Sequence, residues 1–197
     1  MKTLIYFAAL TASAVALPTA ASAQRAPAAV VVVVDSERIY RECTACKSAQ
    51  SQLQTRLTAL QTRQKTLADG LRPEGQAIQA AVQALAGKQP DAALRARVQA
   101  FQAKEEAANK ELQTSQQNLQ SIQANILRQI NTRLSPIINQ VMTAKGANIA
   151  VDIGATLAHG QATDATTEVL AGLNAALPSV SLTPLPASAQ QQKPQGR

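Results

Sequence analysis

The sequence predicts an α+β fold in which a long antiparallel coiled-coil hairpin of helices stands on a small β body. Three observations carry that expectation. Apolar or small residues recur every 3.5 positions along two matched stretches between about Gln50 and Lys145, a group of helix breakers divides the stretches, and short β-branched runs flank them on both sides. Two matched seams imply two helices packed together.

The chain opens with Lys2, an apolar run from Leu4 to Leu17 and the small-residue stretch Pro18 to Ala23. That order makes residues 1–23 a secretory signal peptide, and Ala21-Ser22-Ala23 sets the cut after Ala23. The run is too short and alanine-rich for a membrane span, and Gln24 rather than a cysteine follows the cut, so no lipid anchor is expected there. The expectation is a soluble, exported protein of one domain.

Residues 24–47 are read as a body strand and the start of the first helix. Val30 to Val34 are β-branched at every position and are bounded by Pro27 and Asp35, as suits a strand buried on both faces. Cys43-Thr44-Ala45-Cys46 follows, at or near a helix start. A thioredoxin-like enzyme uses this spacing because a helix N-terminus favours the thiolate. Here no alternating strand and helix pattern surrounds it, so a local disulfide or paired thiols is the favoured reading and a redox enzyme the minor one. Zinc is not expected, since Cys43, Cys46 and the single His159 supply at most three ligands where four are usual. His159 reads as an exposed turn residue.

Residues 48–145 are read as the hairpin. In its first arm Leu57, Leu71, Ile78 and Leu85 form one row and Leu53, Leu60, Leu67 and Ala81 the other; in the second arm the rows are Leu94, Phe101, Ala108, Ile122 and Val98, Leu112, Leu119, Ile126. The tip is placed near residues 87–91, where Gly87 ends one helix and Asp91 caps the next. The other breaker group, Gly70 to Gly75 with Pro73, is read as a kink because the seam runs through it in register. Gln64, Glu74 and Glu105 are expected as polar interruptions of the seam. Beyond Ile122 the spacing turns to fours, and with Pro136 it predicts a bend where the second arm enters the body.

Residues 146–178 return to the body, with strands expected at Asn148–Ile153 and Ala155–Ala158 and a helix from about Asp164 to Ala176. Val31, Val32, Val33, Ile149 and Val151 are the residues expected to assemble the body. Three short strands leave exposed edges, which strands of other subunits can cover. Residues 179–197, rich in Pro, Ser and Gln, are expected to be disordered.

The formal net charge of the whole chain is +7. Between Ala45 and Lys145 thirteen Lys and Arg face six Asp and Glu, with Arg72, Lys88, Arg95 and Arg97 toward the tip. These four are candidate contacts for anionic lipid, lipopolysaccharide or an acidic partner, and equally serve as an ordinary solvated surface. Nucleic acid is not expected as a partner, because Tyr40 and Phe101 are the only aromatics past the signal peptide and offer no stacking platform. No phosphate-binding glycine loop, nucleophile elbow or zinc-protease helix occurs, and a chain whose bulk is coiled coil has little room for a conventional pocket, so neither a cofactor nor enzyme activity is expected.

The entry VVDSERI at Val33 to Ile39 and the exit in which Asp164, Thr166, Val169, Leu173 and Asn174 fit D-x-T-x-x-V-x-x-x-L-N resemble the Skp or OmpH-like family of periplasmic chaperones of Gram-negative bacteria. The resemblance spans nearly the whole mature chain. It implies a homotrimer in the periplasm, with a barrel-like body and three helical tentacles enclosing unfolded outer-membrane proteins. The implied function is an ATP-independent holdase. The alternatives are an envelope coiled-coil adaptor for one folded partner and, less favoured, a thiol-disulfide oxidoreductase using Cys43 and Cys46. The arms are richer in alanine and glutamine than the lysine-heavy pattern of the family.

Overall fold

The computed structural model describes residues 27–186, so the signal peptide expected at 1–23 lies outside the described residues. Strand β1 (Val31–Val34) exposes Val31 and buries the next three valines. Consecutive strand residues point to opposite faces, so both faces of β1 are covered from Val32 onward. Asp35 ends the strand, and its carboxylate accepts the Arg38 N–H at 2.8 Å to cap a short helix, α1 (Ser36–Glu42). The chain therefore does not pass straight from strand into arm. Cys43 closes α1 in an extended conformation, and its Sγ accepts the Cys46 N–H at 3.0 Å at the start of α2 (Thr44–Ala84).

Helix α2 runs unbroken through Gly70 to Gly75 with Pro73 inside it. The reversal comes later. Ala86 and Gly87 adopt φ of 47° and 88°, and Asp91 Oδ1 then accepts the Leu94 N–H at 2.7 Å to start α3 (Ala92–Ala144). A positive φ is where glycine is least strained, which suits Gly87 to the tip. At 1.5 Å per residue α2 is about 60 Å long and α3 about 80 Å. Pro136 likewise lies within the continuous α3.

Burial is uneven along the hairpin. In α3 the buried apolar residues are Ala108, Leu119, Ile122, Ile126, Ile130, Leu134 and Ile137, whereas α2 buries only Ala45, Cys46 and Ala49 next to the body. Nearer the tip, Leu67, Leu71, Ile78, Leu94, Val98 and Phe101 are half-buried. Three expected seam residues are corrected: Leu57, Gln64 and Glu105 are exposed, while of the polar interruptions Glu74 alone sits half-buried between the arms. The seam drifts because a straight helix does not keep a seven-residue repeat on one face.

Strand β2 (Ile149–Asp152) lies parallel to β1, pairing Val31 with Ile149, Val32 with Ala150, Val33 with Val151 and Val34 with Asp152. A parallel pair needs a long crossover, and the whole hairpin supplies it. Asn148 fixes the register by accepting the Val30 N–H at 2.9 Å and donating to Ala28 O at 2.8 Å. The expected strand at Ala155–Ala158 is absent. The Asp152 carboxylate accepts the Gly154 N–H at 2.8 Å, Ile153–Ala155 turns into a 3-10 helix, and Leu157 is fully exposed. Among the described residues the sheet has two strands, with an isolated bridge from Val33 to Asp164 on the far side of β1.

Helix α4 (Thr166–Ala176) packs Val169 and Leu173 into a core shared with Val32, Val34, Ile39, Cys43, Cys46, Ile126 and Ile130. The disorder expected over 179–197 is corrected for residues 179–186, and residues 187–197 lie outside the described residues. Residues 177–186 have no regular secondary structure, yet they lie along α3, with Val180 and Leu182 against the core and Leu185 buried. Polar side chains of α3 hold this segment by its backbone.

Candidate functional site

The two motifs on which the family resemblance rests meet at the foot of the hairpin. Thr166, fully buried, accepts the Asp35 N–H on Oγ1 at 2.9 Å. Its own N–H donates to Asp164 Oδ1 at 2.8 Å, while Val33 O accepts the Ala165 N–H at 2.9 Å. Asn174 Oδ1 accepts the Thr44 N–H at 2.8 Å, which satisfies a donor that the start of α2 leaves without an intrahelical partner. Asp35, Thr166 and Asn174 thus tie the sheet and the start of the first arm to α4. The Thr166 side chain, then its backbone N–H, hold the Asp164 carboxyl below its ordinary value. Lys145 at the end of α3 pairs with Glu168 in the first turn of α4 at 2.6 Å and lowers the Glu168 carboxyl in the same sense.

Cys43 and Cys46 are joined as a disulfide with their Cα atoms 5.0 Å apart. They are 1% and 3% exposed and share the core cluster with Ile39, Ala49, Val169 and Leu173, the setting of a structural rather than a reactive cysteine pair. The pair anchors the angle between α1 and α2. His159 is exposed. Among the described residues no group of three or more His, Cys, Asp or Glu is placed to hold a metal, and no helix is long and apolar enough to cross a membrane.

Val32 and Val33 are buried within the single chain, and Val151 is half-buried. Val31 and Ile149, which pair across the sheet, stay 39% and 42% exposed. The outer edge of β2 has no strand beside it among the described residues.

The basic residues singled out in the sequence are not brought together as four. Arg72 lies about 20 Å down the first arm from the turn. It shares Asp69 with Lys65, at 2.8 Å and 2.6 Å. Arg95 donates to Pro90 O at 2.9 Å and braces the tip loop. Lys88 and Arg97 are exposed beside it. Two ion pairs cross between the arms: Arg63 grips Glu111 through two hydrogen bonds of 2.6 Å and 2.9 Å, and Lys104 meets Glu74 at 2.6 Å. The Arg63 pairing raises the guanidinium pKa and lowers that of Glu111. The Arg63–Glu111 pair is solvent-exposed and Lys104 is exposed against a half-buried Glu74, so both pairs set register more than stability.

The arm surfaces are chemically soft. Thr55, Thr58, Thr62 and Thr66 turn their hydroxyls back to carbonyls four residues earlier at 3.0–3.1 Å, which leaves a row of methyl groups outward on α2. Ser121, Asn125 and Gln129 were not singled out by periodicity, although they follow one another at intervals of four beside the buried isoleucines. That spacing was their only signal.

The profile of a protein family described as "Outer membrane protein (OmpH-like)" matches residues 30–173. Among solved structures, the chain is similar to a crystal structure from Caulobacter crescentus of a protein assigned as an OmpH-like outer membrane chaperone. The two share 22% identity over 84% of this chain and 96% of that one, with a TM-score of 0.67, which bears on the fold. No curated protein matches.

Proposed function

Because the chain belongs to the OmpH-like outer membrane protein family, we propose that it is a periplasmic holdase that encloses unfolded outer-membrane proteins and keeps them from aggregating without ATP. The observation that carries this reading is the gradient of burial along the hairpin. The foot is a packed core, whereas the outer arms rest on half-buried seam residues. An arm that packs only on its partner gives way locally before the body does. Its outward methyls, glutamines and alanines offer many weak contacts to an extended chain, which suits clients of varied sequence.

Enclosure needs more than one arm. The exposed Val31 and Ile149 and the free edge of β2 favour assembly through the sheet, and a homotrimer closes such edges into a barrel-like body. Lys88, Arg95 and Arg97 at the tip provide a weak attraction to lipopolysaccharide or another anionic membrane surface during hand-over.

The test is to dilute several unrelated, urea-unfolded outer-membrane barrel proteins into nucleotide-free buffer and follow light scattering. The holdase reading predicts suppression for all of them near one trimer per client. Tight binding of a single folded partner with no general suppression would establish an adaptor instead.

A further inference from the structure

Three side chains on one stripe of α3 bind main-chain atoms of the last described residues. Gln129 Nε2 donates to Ser181 O at 2.9 Å, and its Oε1 accepts the Ser181 N–H at 2.9 Å. Asn125 Nδ2 donates to Thr183 O at 2.8 Å. Ser121 Oγ accepts the Leu185 N–H at 2.6 Å and donates to Leu185 O at 3.2 Å. The geometry is a match of two periods. Four residues of helix advance about 6 Å, and two residues of extended chain advance about 6 to 7 Å, so side chains at i, i+4 and i+8 meet alternate residues of an extended segment. The stripe therefore reads residues 181, 183 and 185 and passes over those between.

We propose that Ser121, Asn125 and Gln129 form a binding site for an extended polypeptide, and that residues 181–185 occupy it as an internal surrogate which a segment of unfolded client displaces. These five hydrogen bonds go to backbone N–H or C=O and select no side chain, and packing adds only a preference for apolar residues at the positions of Val180, Leu182 and Leu185. The unread residue between Thr183 and Leu185 is Pro184, which has no N–H to offer. The occupant also has a client's pattern. Val180-Ser181-Leu182-Thr183 alternates apolar and polar, as strands of membrane barrels do, and puts Val180 and Leu182 against the core while Ser181 and Thr183 stay exposed. A strap of this length, with few buried side chains and hydrogen bonds that water can replace, is held weakly enough to exchange. A parting strap exposes a row of amide and hydroxyl groups beside the apolar foot of the arm, where an extended client backbone fits in the same register.

The inference rests on the holdase reading for the identity of the competitor, and its test separates the two. In the full chain, amide hydrogen exchange at Ser181 and Leu185 is measured with and without a urea-unfolded barrel protein. Exchange at both amides should accelerate at least fivefold when client is held. In a second full-length variant, Ser181→Pro with Leu185→Pro removes the two strap donors and leaves α3 untouched. A labelled peptide of residues 178–186 should bind this variant at least tenfold more tightly than the native chain. Adding Gln129→Ala and Asn125→Ala should cancel the gain, as should N-methylation of the peptide at Ser181 and Leu185. Client held with unchanged exchange at both amides overturns the inference and leaves the holdase standing. Peptide binding that survives N-methylation also overturns it. Backbone-dependent peptide binding without suppression of aggregation supports the site and counts against the holdase.

Discussion

A Cβ placed on Gly75 would stand 3.1 Å from Cζ of Phe101 on the facing arm. Gly75 is therefore where the first arm makes room for the one aromatic ring in the seam, rather than a helix weakness alone.

Gly75→Ala tests this. Helix propensity alone favours alanine by about 1 kcal/mol, but the ring must shift to admit the methyl. The substitution should gain less than that in the native arm and the full amount when Phe101 is also changed to Ala. Denaturant unfolding of the four chains, followed by circular dichroism, gives a coupling of roughly 0.5 kcal/mol or more. A full gain in both backgrounds would mean that the contact carries no energy. Pro73→Ala meets no such obstacle and should stabilise the arm by up to about 3 kcal/mol.

On the proposed trimer, two substitutions in the body should separate folding from assembly. Val32 is 4% exposed inside the subunit, so Val32→Asp buries a carboxylate without a partner and should unfold the body outright, at a cost of several kcal/mol. Ile149→Asp sits on the exposed edge and should leave the helices and the strap intact while reducing the assembly to monomers. Light scattering after size exclusion, beside far-ultraviolet dichroism, distinguishes the two. An Ile149→Asp chain that still assembles would show that the β2 edge is not the interface.

The junction should weaken in acid. Asp164 and Glu168 have carboxyl pKa values lowered in the folded state, so their contribution is complete above the ordinary carboxylate values of 3.8 and 4.5 and fades as pH falls through the folded values below them. Asp164→Asn should cost stability at neutral pH and flatten the loss below about pH 4. Urea midpoints between pH 3 and 7 measure both effects. An unchanged acid slope in Asp164→Asn would remove Asp164 from the account.

The disulfide should be dispensable for holding clients. It closes a very short loop, worth about 2 kcal/mol or less in chain entropy, and serine at position 43 retains an acceptor for capping α2. Cys43→Ser with Cys46→Ser should keep helix content and aggregation suppression and lose only that stability. Loss of client protection with the fold intact would bring thiol chemistry back into the function.

The hairpin was legible because its signals are local: a heptad repeat in Leu53 to Leu85, another in Leu94 to Ile126, and Asp91 as a cap. One miss is local, and the others depend on partners distant in the chain. Ala155 to Ala158 has strand composition, but the Asp152 carboxylate captures Gly154 and turns the chain first. The tail has the composition of disorder, yet it is held by Ser121, Asn125 and Gln129, more than fifty residues earlier. The exit motif read as a pattern of letters until Thr166 met Asp35 and Asn174 met Thr44. Val31 and Val32 look alike in sequence, and only the fold makes one an edge residue and the other core.

The central claim is that several copies of this chain enclose one unfolded client. Native mass spectrometry of the protein mixed with a urea-unfolded outer-membrane barrel protein, without nucleotide, measures it directly. The account predicts a free trimer and a complex of three chains with one client. A monomer that binds nothing, or a trimer whose mass is unchanged by any unfolded barrel protein, would contradict it.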